Sequence, residues 1–119
     1  MKDSTKPVKD EGFGFAGAQT VILAILLEKE RHAYDIAREI RRLSEDRLPV
    51  HFGTLYPTLY RMERDGLIAS TVEQPVGERQ RRTYCLTDKG HAEAVRSRMA
   101  WNNFATAMNK IVNRGEEPI

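Results

Sequence analysis

HFGTLYPTLYRMERDGL, running from His51 to Leu67, is the stretch on which the reading of this chain turns. On a helical wheel Phe52, Leu55, Leu59 and Met62 share one stripe, at the i, i+3, i+4, i+7 spacing of a core-facing helix. Gly53, Pro57, Tyr60, Arg61 and Arg64 occupy the opposite arc, with Thr54 and Tyr56 on its flanks. That arc is small at its start, then aromatic and basic, and the one exposed acid expected on it is Asp65 at its end. Gly66 stands where a C′ glycine would close the helix, and Leu67 restarts an apolar pattern. Such a helix has the chemistry to lie in a nucleic-acid groove. Pro57 constrains its start, since proline removes a hydrogen bond and its ring meets the carbonyl four residues back. Two arrangements accommodate it: Thr54 as the N-cap with Pro57 in the first turn, or a start near Phe52 and Gly53 with that turn distorted. The start is expected between His51 and Thr54.

The 119 residues, 40% hydrophobic and 30% charged, suffice for one modest core and no second one. Formal net charge is only +2, so the placement of charge, not its sum, must identify an acidic partner. The single cysteine, Cys85, excludes an intrachain disulfide framework. With no secretory signal the expected compartment is the cytoplasm. The longest apolar run, Val21 to Leu27, falls far short of the ~20 residues that cross a membrane, so no membrane partner is expected.

Upstream, residues 1–15 read as a flexible tail, polar and mixed in charge around Pro7 and then glycine-rich, with Phe13 and Phe15 able to dock on something apolar. Ala18 to Lys29 reads as a helix that is apolar almost all round, central to a core or shared with a partner. Arg31-His32 breaks the pattern. In the next helix Ala33, Ile36, Ala37, Ile40 and Leu43 form the stripe, and Arg41 and Arg42 suit its C-terminal end. Ser44 to Val50 is a connecting loop. Beyond Gly66 the periodicity changes: residues 67–73 and 82–86 are rich in β-branched or aromatic side chains, and the Pro- and Gly-bearing segment 74–81 between them makes a charged hairpin tip. Alternation sets Thr83 and Cys85 on one side of that hairpin, Tyr84 and Leu86 on the other. Thr87-Asp88 then caps a long last helix on which Ala94, Ser97, Trp101, Phe104, Met108 and Ile111 follow one another in alternating steps of three and four, a heptad seam. Such a helix would extend about 40 Å at ~1.5 Å per residue, more than a core of this size can cover, which argues for a second chain.

The expected fold is therefore mainly α with a two-stranded β-wing: a winged helix-turn-helix over residues 16–87, a dimerisation helix over 88–114 and a short tail over 115–119. In such a fold the third helix enters the major groove and the hairpin runs along the backbone of double-stranded DNA. Tyr56, Tyr60 and Thr54 offer hydroxyls, Arg61 and Arg64 suit phosphates or guanine, and Gly53 lets backbone come close. Arg79, Arg81 and Arg82 supply charge on the wing. Taken singly, an exposed arginine is ordinarily just solvated, and Tyr84 fits a core better than a ligand site. It is the arrival of all three sets in this order that carries the reading.

Residues 31–37 (RHAYDIA), 53–68 (GTLYPTLYRMERDGLI) and 81–90 (RRTYCLTDKG) resemble the PadR family of transcriptional regulators, in its shorter branch with a single C-terminal helix. Two departures are Ala33, where the family usually has glycine before the tyrosine, and His51-Phe52, where it often has a small polar residue and proline. The resemblance adds Tyr34 and Pro57 to the expected DNA-binding set. It implies a homodimer, most often a repressor, on a pseudo-palindromic operator, and in several members a response to a small aromatic or drug-like effector. In the short members such compounds bind between subunits near a C-terminal-helix tryptophan, which points to Trp101; simple interface packing is the commoner role for such a ring. An enzyme is not expected, because His32, His51, His91, Cys85, Ser44 and Ser97 match no nucleophile or phosphate motif. No metal or cofactor is expected either: Asp88, His91 and Cys85 would leave a metal-responsive site short of ligands. A protein-interaction adaptor on the same fold is the remaining alternative.

Overall fold

The computed structural model describes residues 10–48, 50–73 and 81–115, with backbone alone for 10–16. Four helices and three short strands follow in the order α1 (Asp10–Glu28), β1 (Arg31–His32), α2 (Ala33–Leu43), α3 (Phe52–Arg64), β2 (Ile68–Glu73), β3 (Arg81–Leu86) and α4 (Asp88–Val112). The predicted N-terminal tail is thus too long: α1 already begins at Asp10 and takes in Gly12 to Gly17. A glycine in a helix costs about 1 kcal/mol against alanine. The helix-forming run that follows is long enough to carry the extra turns, since each added residue gains a bond once a nucleus exists. Residues 1–9 lie outside the described part.

Ile22, Leu23, Ile25 and Leu26 of α1 are all buried, as expected of a helix apolar on most sides. Around them close Ile36, Ala37 and Ile40 of α2, Leu55, Leu59 and Met62 of α3, Ile68 of β2 and Tyr84 of β3. Burial pushes the Tyr84 phenol above its ordinary range, against a smaller opposing pull from Arg82. Two apolar residues predicted for this core are not in it. Leu43 is 57% exposed and Phe52 41% exposed. Each sits at a helix end, beyond the layer that the facing helices cover. On α3 the buried stripe is completed instead by Thr58, whose Oγ1 donates to the Thr54 carbonyl (2.8 Å) and so needs no water.

The sheet has three strands, not two. Its order is β1-β3-β2, with all pairs antiparallel; Arg31 lies opposite Tyr84, and Ile68 to Glu73 opposite Leu86 to Arg81. The hairpin is as expected. The added strand is the Arg31-His32 break, held by His32 Nδ1 against Thr83 Oγ1 (3.0 Å) and by Arg31, whose guanidinium meets Glu28 (3.1 Å) and Glu39 (3.8 Å). A hydrogen bond from Arg42 holds the Glu39 carboxyl below its ordinary range.

Both helices of the helix-turn-helix end in the same six-residue closure, in which the amides of C′ and C″ return to the last turn. After α2, Glu45 and Asp46 bond back to the carbonyls of Arg42 and Arg41 (3.2 and 2.8 Å), both with left-handed backbone (φ 55° and 62°). After α3, Gly66 and Leu67 bond back to Glu63 and Met62 (3.0 and 2.9 Å), with Gly66 at φ 78°. Pro57 lies inside α3, which begins at Phe52 after His51, so the helix starts where the second of the two predicted arrangements put it. Thr87 caps α4: its Oγ1 accepts from Gly90 N (3.0 Å) and donates to Gly66 O (2.6 Å). There α4 lies so close that a Cβ on Gly90 would stand 1.8 Å from the Leu67 carbonyl oxygen.

Gly90→Ala is therefore expected to lose about 1–3 kcal/mol of stability, because that contact is backbone against backbone and cannot relax by a side-chain turn. Gly53→Ala, whose Cβ would meet nothing within 4 Å, is expected to change stability by less than ~1 kcal/mol. Urea unfolding of the two variants checks both. Equal stability of Gly90→Ala and wild type would contradict the close packing.

Candidate nucleic-acid interface

The outer face of α3 carries Gly53, Tyr56, Pro57, Tyr60 and Arg64, all exposed, with Thr54 half-buried beside them. Its first turn holds no acid, so the positive end of the helix dipole is left uncompensated there. Arg64 is exposed and its Nε reaches the neighbouring Asp65 carboxylate (3.2 Å). Arg61 departs from the expectation. It is half-buried, and its Nε and Nη2 are shielded from solvent, so it does not present a full guanidinium fork outward.

The start of α3 faces the start of α2 across a stack of three rings. Phe52 lies between Tyr34 (centroids 6.4 Å apart, planes 18°) and Tyr56 (5.6 Å, 26°), and Arg38 covers the Tyr34 ring at 5.7 Å. These rings form one wall of an open groove of about 1130 Å³, whose other wall is the wing, with Val72, Arg81 and Arg82. Arg79 of the expected set lies outside the described residues. Arg82 is anchored: its Nη1 donates to Ser70 Oγ (2.9 Å), which in turn donates to Glu63 of α3 (2.7 Å). Tyr34, Tyr56, Arg81 and Arg82 are thereby gathered round one groove, while Tyr60 and Arg64 continue the same helix face beyond it. Sequence reasoning missed Phe52 and Arg38 as members of this surface. The signal for Phe52 was present, for it begins the helix and the stripe has no partner one turn earlier.

The predicted seam on α4 divides in two. Ala94 is only 3% exposed, because it packs in the chain's own core against α1, and it is removed from the seam. Ser97 is half-buried, with its Oγ at 3.4 Å from Glu93. Beyond it Trp101 (58% exposed), Phe104, Met108 and Ile111 all lie open, joined by Met99 and Val112, which the heptad spacing did not include. The Trp101 and Phe104 rings are 5.9 Å apart. At the junction with α1, Thr20, Glu93, Arg96, Ser97, Ala100, Trp101 and Phe104 line a shallow hollow of about 290 Å³. No group of three or more His, Cys, Asp or Glu side chains suited to a metal occurs among the described residues, and no helix of theirs is long and apolar enough to cross a membrane.

Known proteins resemble this chain in sequence and in fold. A transcriptional regulator of Mycobacterium tuberculosis, Rv3488, is 36% identical over 93 residues, spanning 78% of this chain and 83% of its own. The solved structure of a transcriptional regulator from Clostridium thermocellum superposes with a TM-score of 0.73 at 26% identity, covering 86% of this chain and 92% of that one. Bacillus subtilis PadR, solved in complex with operator DNA, shares the fold at a TM-score of 0.59 and 24% identity, over 64% of this chain and 43% of its own. Residues 22–96 match the model of the transcriptional regulator PadR-like family, and with more than half of its length so matched the chain belongs to that family.

Proposed function

We propose that two copies of this chain, joined through α4, bind a pseudo-palindromic operator in double-stranded DNA, with α3 in the major groove and the β2–β3 wing along the backbone, and that the bound dimer represses transcription. The observation that carries the reading is the outer face of α3: aromatic hydroxyls and arginine on an exposed helix, beside a hairpin bearing two more exposed arginines. Hydroxyls and arginines hold phosphates, and a helix in the major groove reads base edges. Two-fold symmetry would set the two copies of α3 about 34 Å apart, one turn of DNA. Support for the dimer is the apolar face of Trp101, Phe104, Met108 and Ile111, which nothing within the described chain covers. A cytoplasmic location follows from this role.

A small aromatic effector that relieves repression is the second layer. It rests on the hollow beside Trp101, where a flat ring would lie against Trp101 and Phe104. The metal-responsive alternative finds no ligand cluster in the described residues, and the adaptor alternative leaves the basic aromatic groove unexplained.

Tyr60→Ala and Arg64→Ala are expected to weaken binding to a selected operator duplex, and Arg64→Ala to lower the log–log salt slope by about 0.9 if its contact is a phosphate. Gly53→Ala should bind less well at unchanged stability. Full affinity in all three would reject α3 as the DNA-contacting helix. For the dimer, Trp101→Asp combined with Met108→Asp should sediment as a monomer at micromolar concentration, and a persisting dimer would place the contact elsewhere. Since Trp101 is the only tryptophan, its fluorescence should change on titration with phenolic or drug-like aromatics, and a flat response across a broad set would count against the effector.

A further inference from the structure

Phe52 is the one residue of the α3 apolar stripe that the core leaves exposed. An apolar ring at the first position of α3 would be expected to turn inward, yet it lies open between Tyr34 and Tyr56 in a stack that faces the groove. The outer two rings carry hydroxyls and can bond to phosphate or base. The middle one can do neither. A ring without donor or acceptor gains only from apolar contact, and the one apolar group on a base-pair edge in the major groove is the C5-methyl of thymine. The N-terminal residues of a recognition helix are those that reach base edges.

We propose that Phe52 is a specificity-determining residue that reads a thymine methyl group in each operator half-site, held at the right angle by Tyr34 and Tyr56. This rests on the DNA-binding reading above and adds to it which base feature the start of α3 selects. The stack matters to the argument, because flanking rings fix the Phe52 plane before binding and less freedom is lost on contact.

The test uses the full chain and a duplex enriched by it from a random library. Each thymine of that duplex is replaced in turn by deoxyuridine, which removes the methyl and keeps every hydrogen-bonding group. At one position, or two adjacent ones, per half-site, the loss is expected to weaken wild-type binding about fourfold, the transfer value for one buried methyl-sized group. Phe52→Ala should bind the unmodified duplex more weakly and be indifferent to deoxyuridine at that position. Phe52→Leu, which keeps an apolar side chain, should retain part of the methyl sensitivity. Wild-type indifference to deoxyuridine at every position overturns the proposal, and needs no variant to fold. An equal penalty at the same position in wild type and Phe52→Ala overturns it as well, leaving Phe52 a positioning residue for Tyr56. Should the wild type enrich no duplex at low salt, the DNA-binding reading itself falls; enrichment followed by methyl indifference removes only the role given to Phe52.

Discussion

The carbonyl of Leu67 is the point at which the two halves of the molecule meet. It accepts from the backbone of Thr87 (3.1 Å), the Thr87 hydroxyl lies between it and the Gly66 carbonyl, and Gly90 passes so near that no side chain fits. From the other side Lys89 Nζ donates to the Asp65 carbonyl (2.8 Å). The carbonyls of Asp65, Gly66 and Leu67, just past α3, are thus satisfied by Thr87 and Lys89 at the start of α4, and one of the orphan amides of α4, that of Gly90, is satisfied by the same Thr87. One hydroxyl, that of Thr87, therefore caps α4 and ties it to the turn that closes α3. The consequence is geometric. The direction of α4, which carries the apolar face, is fixed relative to α3, which carries the basic one, so any pairing through α4 sets the spacing of the two α3 helices.

Several of the described arginines are engaged within the fold, so their placement says more than the small net charge does. On α2, Arg38 pairs with Asp35 (2.8 Å) and Arg42 with Glu39 (2.7 Å); Arg41 donates to the Val50 carbonyl (2.9 Å), and on α4 Arg96 pairs with Glu93. These pairs at i, i+3 are local supports worth a few tenths of a kcal/mol each. Arg64 differs in kind. Its contact is to the adjacent Asp65 on an exposed helix end, a pair worth ~0–1 kcal/mol in water, so exchanging that carboxylate for a phosphate costs little. The wing is tied to the same helix by Arg82, Ser70 and Glu63, which holds the two basic elements at a set separation.

The sequence was most legible where one residue has one reason to be present. Gly66 has a left-handed φ that the end of α3 requires, Thr87 accepts the amide that an N-cap accepts, and both are placed as expected. Period also did well: Leu55, Leu59 and Met62 are buried on the predicted side of α3. It failed at helix ends. Phe52 and Leu43 belong to the right stripes, but a stripe says which side is apolar and not how far the neighbouring elements extend to cover it. Ala94 failed in the opposite sense, since a small residue at a heptad position fits a chain's own close helix contact as well as a partner's. Two residues, Arg31 and His32, have no period at all, so their strand could be known only from the edge of β3 that it pairs with. Arg61 lies on the outward arc by angle, yet its Nε and Nη2 are shielded from solvent, which a helical wheel does not report.

The extent of α4 bears on why a monomer would be an unsatisfactory state. A compact chain of this length has a radius of gyration of about 13.5 Å. This one has 16.7 Å, and its longest dimension is 61 Å. The excess comes from α4, whose last buried residue is Ala94 although the helix continues to Val112. Past that point no residue of the helix is fully buried, and Trp101, Phe104, Met108, Ile111 and Val112 stay in contact with water. Fully burying a large apolar side chain is worth roughly 1.5–3 kcal/mol, so leaving this set open forgoes several such contributions. An isolated helical segment of that length is marginal in water without packing on its apolar face. The same face, covered by its copy on a second chain, would hold the distal half of α4 in place and, through the Leu67 joint, both α3 helices with it.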